Sequence, residues 1–455
     1  MASTNPFRQI AVGLSCLALI WTLGCSANSI HKTDSARNAF AAGDLTAARE
    51  NLQALAESKK RSAISNELDL AIVDLADGNH RGAEGKLRAL RDKFDSLPKF
   101  SPIGEAASIV TDDNARPFRP ASYEQVMVRT MLALCSLAGD GSDAEAYSLQ
   151  AFKLQNEFAQ QAHERGVADA ANLFQPIAIA PYLRGMIREA TYLDYDDAAR
   201  AYALVQSIQP DFAPAAQDSQ RAATGVHCQP GHGVLYVLAC VGRGPVLTET
   251  TAPTTTEALK IASLALQKQR NDERNEIAIP NIASVKIPTV IVPPSRVASV
   301  DVSVEGKLFG TTQTLTDVGE LAANQLAAEM PWTIARAVVR RVSKEAAVAK
   351  VSDSLGLTGN AQSIFQFATA SVWSRSEGAD LRCWGLLPRE IQVLRAELPA
   401  GTHRVLLTSA GPNGKQYASK TTTVSIGDGS NKYLVVIAPD EAIYLANEPN
   451  ATSDN

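Results

Sequence analysis

The chain lacks a long basic run, an apolar run long enough to cross a bilayer, and the short motifs of the common chemistries. Lys plus Arg total 43 against 48 Asp plus Glu, a formal charge of -5, so no electrostatic footprint for nucleic acid is present. The strongest basic cluster, Arg336, Arg340, Arg341 and Lys344, reads as the polar face of an amphipathic helix. No His-Glu-x-x-His, Gly-x-Ser-x-Gly, phosphate loop or dinucleotide fingerprint occurs. The six histidines are scattered, and aromatic residues make up only 6% of the chain. These absences leave no catalytic constellation and no cofactor in view, and a non-enzymatic protein is expected.

What is present is the composition of a globular protein, 45% hydrophobic and 20% charged over 455 residues. That length suits two domains. Residues 1–24 carry Arg8, an apolar run from Ile10 to Leu23 and then Gly24, the order of a secretory signal. The run is about 14 residues, short of the ~20 that span hydrocarbon. Gly24-Cys25 at its end resembles the lipobox of bacterial lipoproteins, although Thr22 and Leu23 stand where that family prefers Leu and a small residue. The resemblance implies cleavage before Cys25, acylation of Cys25 and a membrane anchor. Ser26 implies residence at the periplasmic face of the outer membrane. The alternative is an ordinary cleaved signal with an unrelated cysteine.

Residues 31–220 repeat themselves. Phe40-Ala-Ala-Gly43-Asp44-Leu-Thr-Ala47-Ala48 recurs as Leu75-Ala-Asp-Gly78-Asn79-His-Arg-Gly82-Ala83, with the glycines 35 apart. That is close to the period of about 34 of a tetratricopeptide (TPR) repeat. Each glycine is expected to end one helix in a tight turn, with small residues letting the next pack close. Met131–Asp140 followed by Asp143, and Pro181–Gly185 followed by Tyr195, Ala198, Tyr202 and Pro210, obey the same grammar. Asp194, Asp196 and Asp197 fall at a helix start, where carboxylates are favoured. Stacked helix pairs of this kind form a curved array with a concave groove, which usually holds protein segments. The competing reading is an array that packs only on its own C-terminal domain.

From residue 225 to 445 the period shifts towards two. Strands are expected at Val234–Val241, Val285–Val292, Ala298–Val304, Lys307–Thr312, Ile391–Leu398, His403–Ser409, Gln416–Ile426 and Tyr433–Ala438. Helices are expected at 317–329, at 331–350 with Pro331 at its first position, and at 360–373. The fold class is therefore α+β: a TPR-like helical array, then a mixed α/β domain with a largely antiparallel sheet. Residues 246–282, rich in threonine, read as a linker with a polar helix at 257–275. Residues 446–455 read as a disordered tail.

Two constellations remain. His227, Cys228, His232 and Cys240 are of the types zinc prefers, but the spacing is not that of a finger or ribbon. A turn with exposed histidines, or a Cys228–Cys240 disulfide, is the preferred reading. Cys135 lies on an apolar helix face and reads as a buried thiol. The second constellation is Asp380-Leu-Arg382-Cys383-Trp384-Gly-Leu-Leu387-Pro388. Asp380 and Arg382 are expected to pair and fix a loop, with Trp384 and Leu387 packed beneath; the alternative is a recognition patch.

This stretch, together with Arg116-Pro117-Phe118 and the Met131–Asp140 helix end, resembles an uncharacterised family of bacterial lipoproteins. That family carries TPR-like helices and an Asp-x-Arg-x-Trp-x-x-Leu-Pro motif. The resemblance implies architecture and envelope location, not chemistry. The expected role is that of a lipid-anchored scaffold or regulator binding a protein partner in the envelope. The alternatives are a structural envelope protein without a ligand and a cryptic hydrolase or metal-binding protein.

Overall fold

The computed structural model describes residues 24–58, 63–97, 118–167, 169–270, 284–354 and 379–449. The expected signal segment 1–23, the helix expected at 360–373 and residues 450–455 lie outside these, as does the side chain of Cys25. Among the described residues no helix is long and apolar enough to cross a membrane. The fold is α+β, with mixed sheets that are mainly antiparallel.

The first half is a succession of helices: α1 (Gly24–Ala42), α2 (Leu45–Ser58), α3 (Ala63–Ala76), α4 (His80–Asp95), α5 (Ser122–Ala138), α6 (Ala144–Glu164), a short α7 (Ala170–Leu173), α8 (Ile179–Glu189), α9 (Tyr195–Ile208) and α10 (Pro214–Ala223). Apart from the one-turn α7, each packs against the helix before it and the one after. The recurring glycines make the turns. Gly43 has φ +100° and Gly78 φ +77°, a region open to glycine because it has no Cβ. The residue after each glycine caps the next helix: Ala47 N donates to Asp44 Oδ1 at 2.8 Å, and Gly82 N to Asn79 Oδ1 at 3.0 Å. A Cβ on Gly82 would run into the Asn79 amide, which explains the small residue at that place.

The second half supplies β1 (His232–Arg243), β2 (Val246–Pro253), α11 (Thr256–Arg270), β3 (Ser284–Ile291), β4 (Ser299–Val304), β5 (Lys307–Thr311), β6 (Gln313–Asp317), α12 (Val318–Ser354), β7 (Pro388–Pro399), β8 (Gly401–Ala410), β9 (Gln416–Ile426), β10 (Asn431–Ala438) and β11 (Tyr444–Leu445). The main sheet has the order β11-β10-β1-β7-β6, a second sheet the order β5-β4-β8-β9, and β2 pairs with β3 alone. β1 runs parallel to β10 and antiparallel to β7.

Alternation along β1 joins the layers. Val234, Tyr236, Leu238 and Cys240 share a core with the helices, while Leu235, Val237, Ala239 and Val241 share one with Val300, Val302, Val405 and Leu407 of the second sheet. The main sheet thus lies between helices and a second sheet, and β1 is a continuous apolar run because both its faces are covered. The helices are covered in the same way, since the core that holds α1–α6 and α8–α10 includes Ile391, Val393, Val435 and Ile437 of the main sheet.

Three sequence expectations need correction. The stretch 246–282 is not a linker as far as it is described: Thr248, Thr250 and Thr251 lie in β2, and α11 follows from Thr256. Thr is β-branched and suits a strand, and Ala258, Ile261, Ala262 and Leu266 bury against Val285, Ile287 and the α12 residues Ile334–Val342. Secondly, 318–354 is one helix that continues through Pro331. Its flanks are packed on both sides, Ala328 beside Phe174 and Val338 in the α11 cluster, which offsets the hydrogen bond that proline removes. Arg340 in this helix is buried, so that cluster is not a plain solvated face. Thirdly, the chain beyond 445 is pinned as far as 449. Ala446 is fully buried, and Asn447 accepts from Val435 N at 2.8 Å and donates to Ala138 O at 3.1 Å.

Candidate functional site

The Asp380–Trp384 motif forms a strap that enters β7 after crossing α1, α3 and α5. Asp380 accepts from Arg382 N, Nε and Nη2 at 3.1, 2.8 and 2.6 Å. The Arg382 guanidinium lies 5.8 Å from the centre of the Phe118 ring, within cation–π reach. Trp384 and Leu387 are buried beneath, as the spacing predicts. The helices grip the strap by its backbone. Trp384 N donates to Glu124 Oε1 at 2.6 Å and Leu386 N to Asp69 Oδ1 at 2.9 Å. The other Glu124 oxygen accepts from Ala121 N at 2.8 Å. Gly385 leaves the space that Arg37 fills, since a Cβ there would meet its guanidinium. Arg37 Nη2 in turn reaches Cys383 Sγ at 3.5 Å.

Both carboxylates are buried, which disfavours the charged form. Burial pushes Asp69 up to about 6 against the pull of Arg37 and of the Leu386 and Gly385 N–H groups. Burial pushes Glu124 up to about 7, with Asp69 and Asp380 adding to it and the Trp384 and Ala121 N–H groups opposing. Trp384 and Leu387 are enclosed beneath the strap, at 0% and 1% exposure.

The other constellation comes apart. His227 is buried, His232 is on the surface with Nδ1 3.3 Å from Pro230 O, and Cys240 lies in the core of β1. Eight residues of extended strand separate His232 from Cys240, roughly 26 Å, so the strand does not fold back and the four side chains do not converge. Cys135, Cys228, Cys240 and Cys383 are all free thiols; the Cys228–Cys240 disulfide is not formed, and the Cys228 thiol donates to His232 O at 3.1 Å. Cys135 is a buried thiol, and burial raises it well above its ordinary value. Among the described residues no group of three or more His, Cys, Asp or Glu is placed to hold a metal ion.

His227 belongs instead to a buried polar centre that the sequence did not announce. Glu189 at the end of α8 accepts from Arg221 Nε at 2.6 Å, Arg221 Nη2 at 2.9 Å and Tyr202 OH at 2.9 Å. Arg221 Nη1 donates to Asp218 Oδ1 at 2.5 Å, and His227 Nδ1 lies 3.6 Å from Glu189 Oε1. Burial alone would raise Glu189, but the Arg221 hydrogen bonds, His227 and the charge of Arg395 bring it down to about 2. Residues from α8, α9, α10, the following loop and β7 meet here, and no local motif could reveal it.

An open cleft of about 240 Å³ lies between α6, α8 and α9. Leu149, Phe152, Pro181, Ala201 and Leu204 line it with apolar side chains, and Arg184, Asp197 and Arg200 with charged ones. Leu149 and Leu204 are 40% and 37% exposed, more than a core residue tolerates. Arg184 Nε and Nη2 hold Asp197 Oδ2 at 3.1 and 2.6 Å, and Arg200 Nη2 reaches Oδ1 at 3.5 Å. The close approach of α8 and α9 depends on Gly185, where a Cβ would lie 2.8 Å from Tyr202 Cε1. Asp194, Asp196 and Asp197 do stand at the start of α9, and Arg188 Nη1 joins Asp194 at 2.9 Å. Compared with protein-family models, with curated proteins and with solved structures, the chain finds no match.

Proposed function

We propose that the chain is a lipid-anchored envelope protein, held through Cys25 at the periplasmic face of the outer membrane, that binds a protein partner and performs no catalysis. In this reading the helices α1–α10 are a degenerate TPR-like array acting as a scaffold or regulator of an envelope complex. The observation that carries it is the open cleft between α6, α8 and α9, where the apolar side chains of Leu149 and Leu204 are 40% and 37% exposed. The main sheet and the strap share one core with these helices, so the proposal puts the docking surface on this cleft. The partner that fits is a short amphipathic segment with one apolar anchor for Leu149, Phe152 and Leu204. An acidic residue beside the anchor would meet Arg200, whose side chain is 72% exposed.

The test places a photo-crosslinking residue at Leu149 or Leu204 of the full chain in intact envelopes, with Leu193, 87% exposed, as an off-cleft control. One discrete adduct from the cleft positions, lost in Arg200→Glu, is expected. Equal labelling at Leu193, or no adduct from the cleft, defeats the reading. That outcome would favour the structural alternative, an envelope protein whose helices serve only to cover its own sheet, for which the shared core speaks.

A further inference from the structure

We propose that the outer face of the second sheet docks a second copy of this chain, face against face about a two-fold axis. The inference is independent of the cleft and rests on the register of four strands.

Val300, Val302, Val405 and Leu407 share a core with the main sheet, so the residues between them turn away from it. The pairings draw one outward row across the whole sheet: Leu308 of β5, Ser303 of β4, Leu406 of β8 and Thr421 of β9. Large and small side chains alternate along it. Leu308 is 65% exposed and Leu406 36%, and Phe309, the extra residue at the β5 bulge, is 45% exposed.

A two-fold axis parallel to the strands, between β4 and β8, reads that row backwards on the copy. Leu308 then stands over Thr421 of the copy and Leu406 over its Ser303, large on small both times. The neighbouring rows suit the same axis. At the hairpin end, Arg404 N donates to Glu305 Oε1 at 2.8 Å, and both residues are exposed. The axis sets Glu305 over Arg404 of the copy, and Arg404 over its Glu305. On the other side Asp301 pairs with Thr408 and meets Thr408 of the copy. No like charges are brought together.

Other occupants fit this face less well. The bulge leaves Phe309 without an opposite residue and spoils β5 as a template for an added strand. An anionic bilayer or an acidic partner would meet Glu305 and Asp301, and a basic partner would meet Arg404; a copy supplies both signs in reversed order. Four strands about 4.8 Å apart give a face about 19 Å wide, and three rows give about 20 Å of length. Two such faces bury roughly 800–1,000 Å², the low end for specific association. The dimer is therefore weak and exchanges with monomer.

Disulfide trapping of the full chain in lysate, before any detergent is added, reads the axis. Chains carrying Leu308→Cys and chains carrying Thr421→Cys, co-expressed and treated with a mild oxidant, are expected to give a covalent dimer. Either chain alone should give none above the unmodified protein, because each position lies about 14 Å from its own counterpart across the axis. If either variant fails to fold, Leu406→Cys beside the axis is expected to pair with its own copy. Adding Glu305→Arg to both chains should lower the yield about ten-fold, and adding Arg404→Glu as well should restore it. The proposal is overturned by the absence of a mixed dimer, by equal dimer from single-variant chains, by a cross-link to another protein, or by a double charge reversal that restores nothing.

Discussion

Two buried glutamates, Glu124 and Glu189, sit at comparable depth and behave in opposite ways. Glu124 accepts from backbone N–H groups and faces other carboxylates, and it is pushed up to about 7. Glu189 is clamped by both ends of the Arg221 guanidinium and lies near His227 and Arg395, and it is pulled down to about 2. Burial opposes ionisation at both sites. The difference is made by the partner: fixed N–H dipoles only reduce the desolvation cost, whereas a guanidinium in fork geometry exceeds it. One site is therefore a charged fixture and the other a group that exchanges its proton near neutrality.

The sharpest way to break this contrast is Arg221→Ala, which leaves Glu189 buried without its main cation. Chemical denaturation should show a loss of about 3–5 kcal/mol, the cost of breaking a buried pair from one side, and Glu189 should then titrate upward as Glu124 does. Acid titration of the unmodified chain probes the same site more gently. Glu189 is depressed in the fold, so its contribution is complete above pH 4.5 and is lost as pH falls towards 2, roughly 3 kcal/mol in all. Asp69 and Glu124 act the other way, withdrawing stability as pH rises between about 4 and 7. Stability measured across both limbs should peak between them; a monotonic curve would contradict the assignment. The smallest effect belongs to the open cleft. Leu204→Arg should change stability by no more than about 0.5 kcal/mol, and a larger loss would mean that the cleft is part of the core.

How much of this was legible depends on the distance over which each feature is encoded. The turns at Gly43 and Gly78 and their caps at Asp44 and Asn79 are local, and the repeated spelling reveals them. β1 is readable as an unbroken apolar run, and Asn413-Gly414 correctly separates β8 from β9, with Gly414 at φ +70°. The Asp380–Arg382 pair spans two residues and was equally accessible. What grips the strap was not, because Asp69 and Glu124 stand 317 and 260 residues away from their N–H partners. β2 was hidden by its threonines, which resemble a linker until a partner strand is known. Pro331 misled for a related reason: a local rule marks it as a helix start, and packing on both flanks overrides the rule. In the histidine and cysteine group the preferred disulfide needed the same fold-back of β1 as a zinc site, and β1 runs straight from His232 to Cys240, while the burial of His227 against Glu189 depends on residues far away in sequence.

The position of β1 has a consequence for the order in which the molecule can assemble. Its two neighbours, β7 and β10, are drawn from residues 388–399 and 431–438, so the middle of the sheet waits for nearly the whole polypeptide to appear. Pairings between such remote segments close slowly, and until then β1 offers two sticky flanks to any neighbouring chain. A product that stops before residue 388 would carry every helix of the first half yet leave that strand without either neighbour, and is expected to be lost to aggregation or proteolysis.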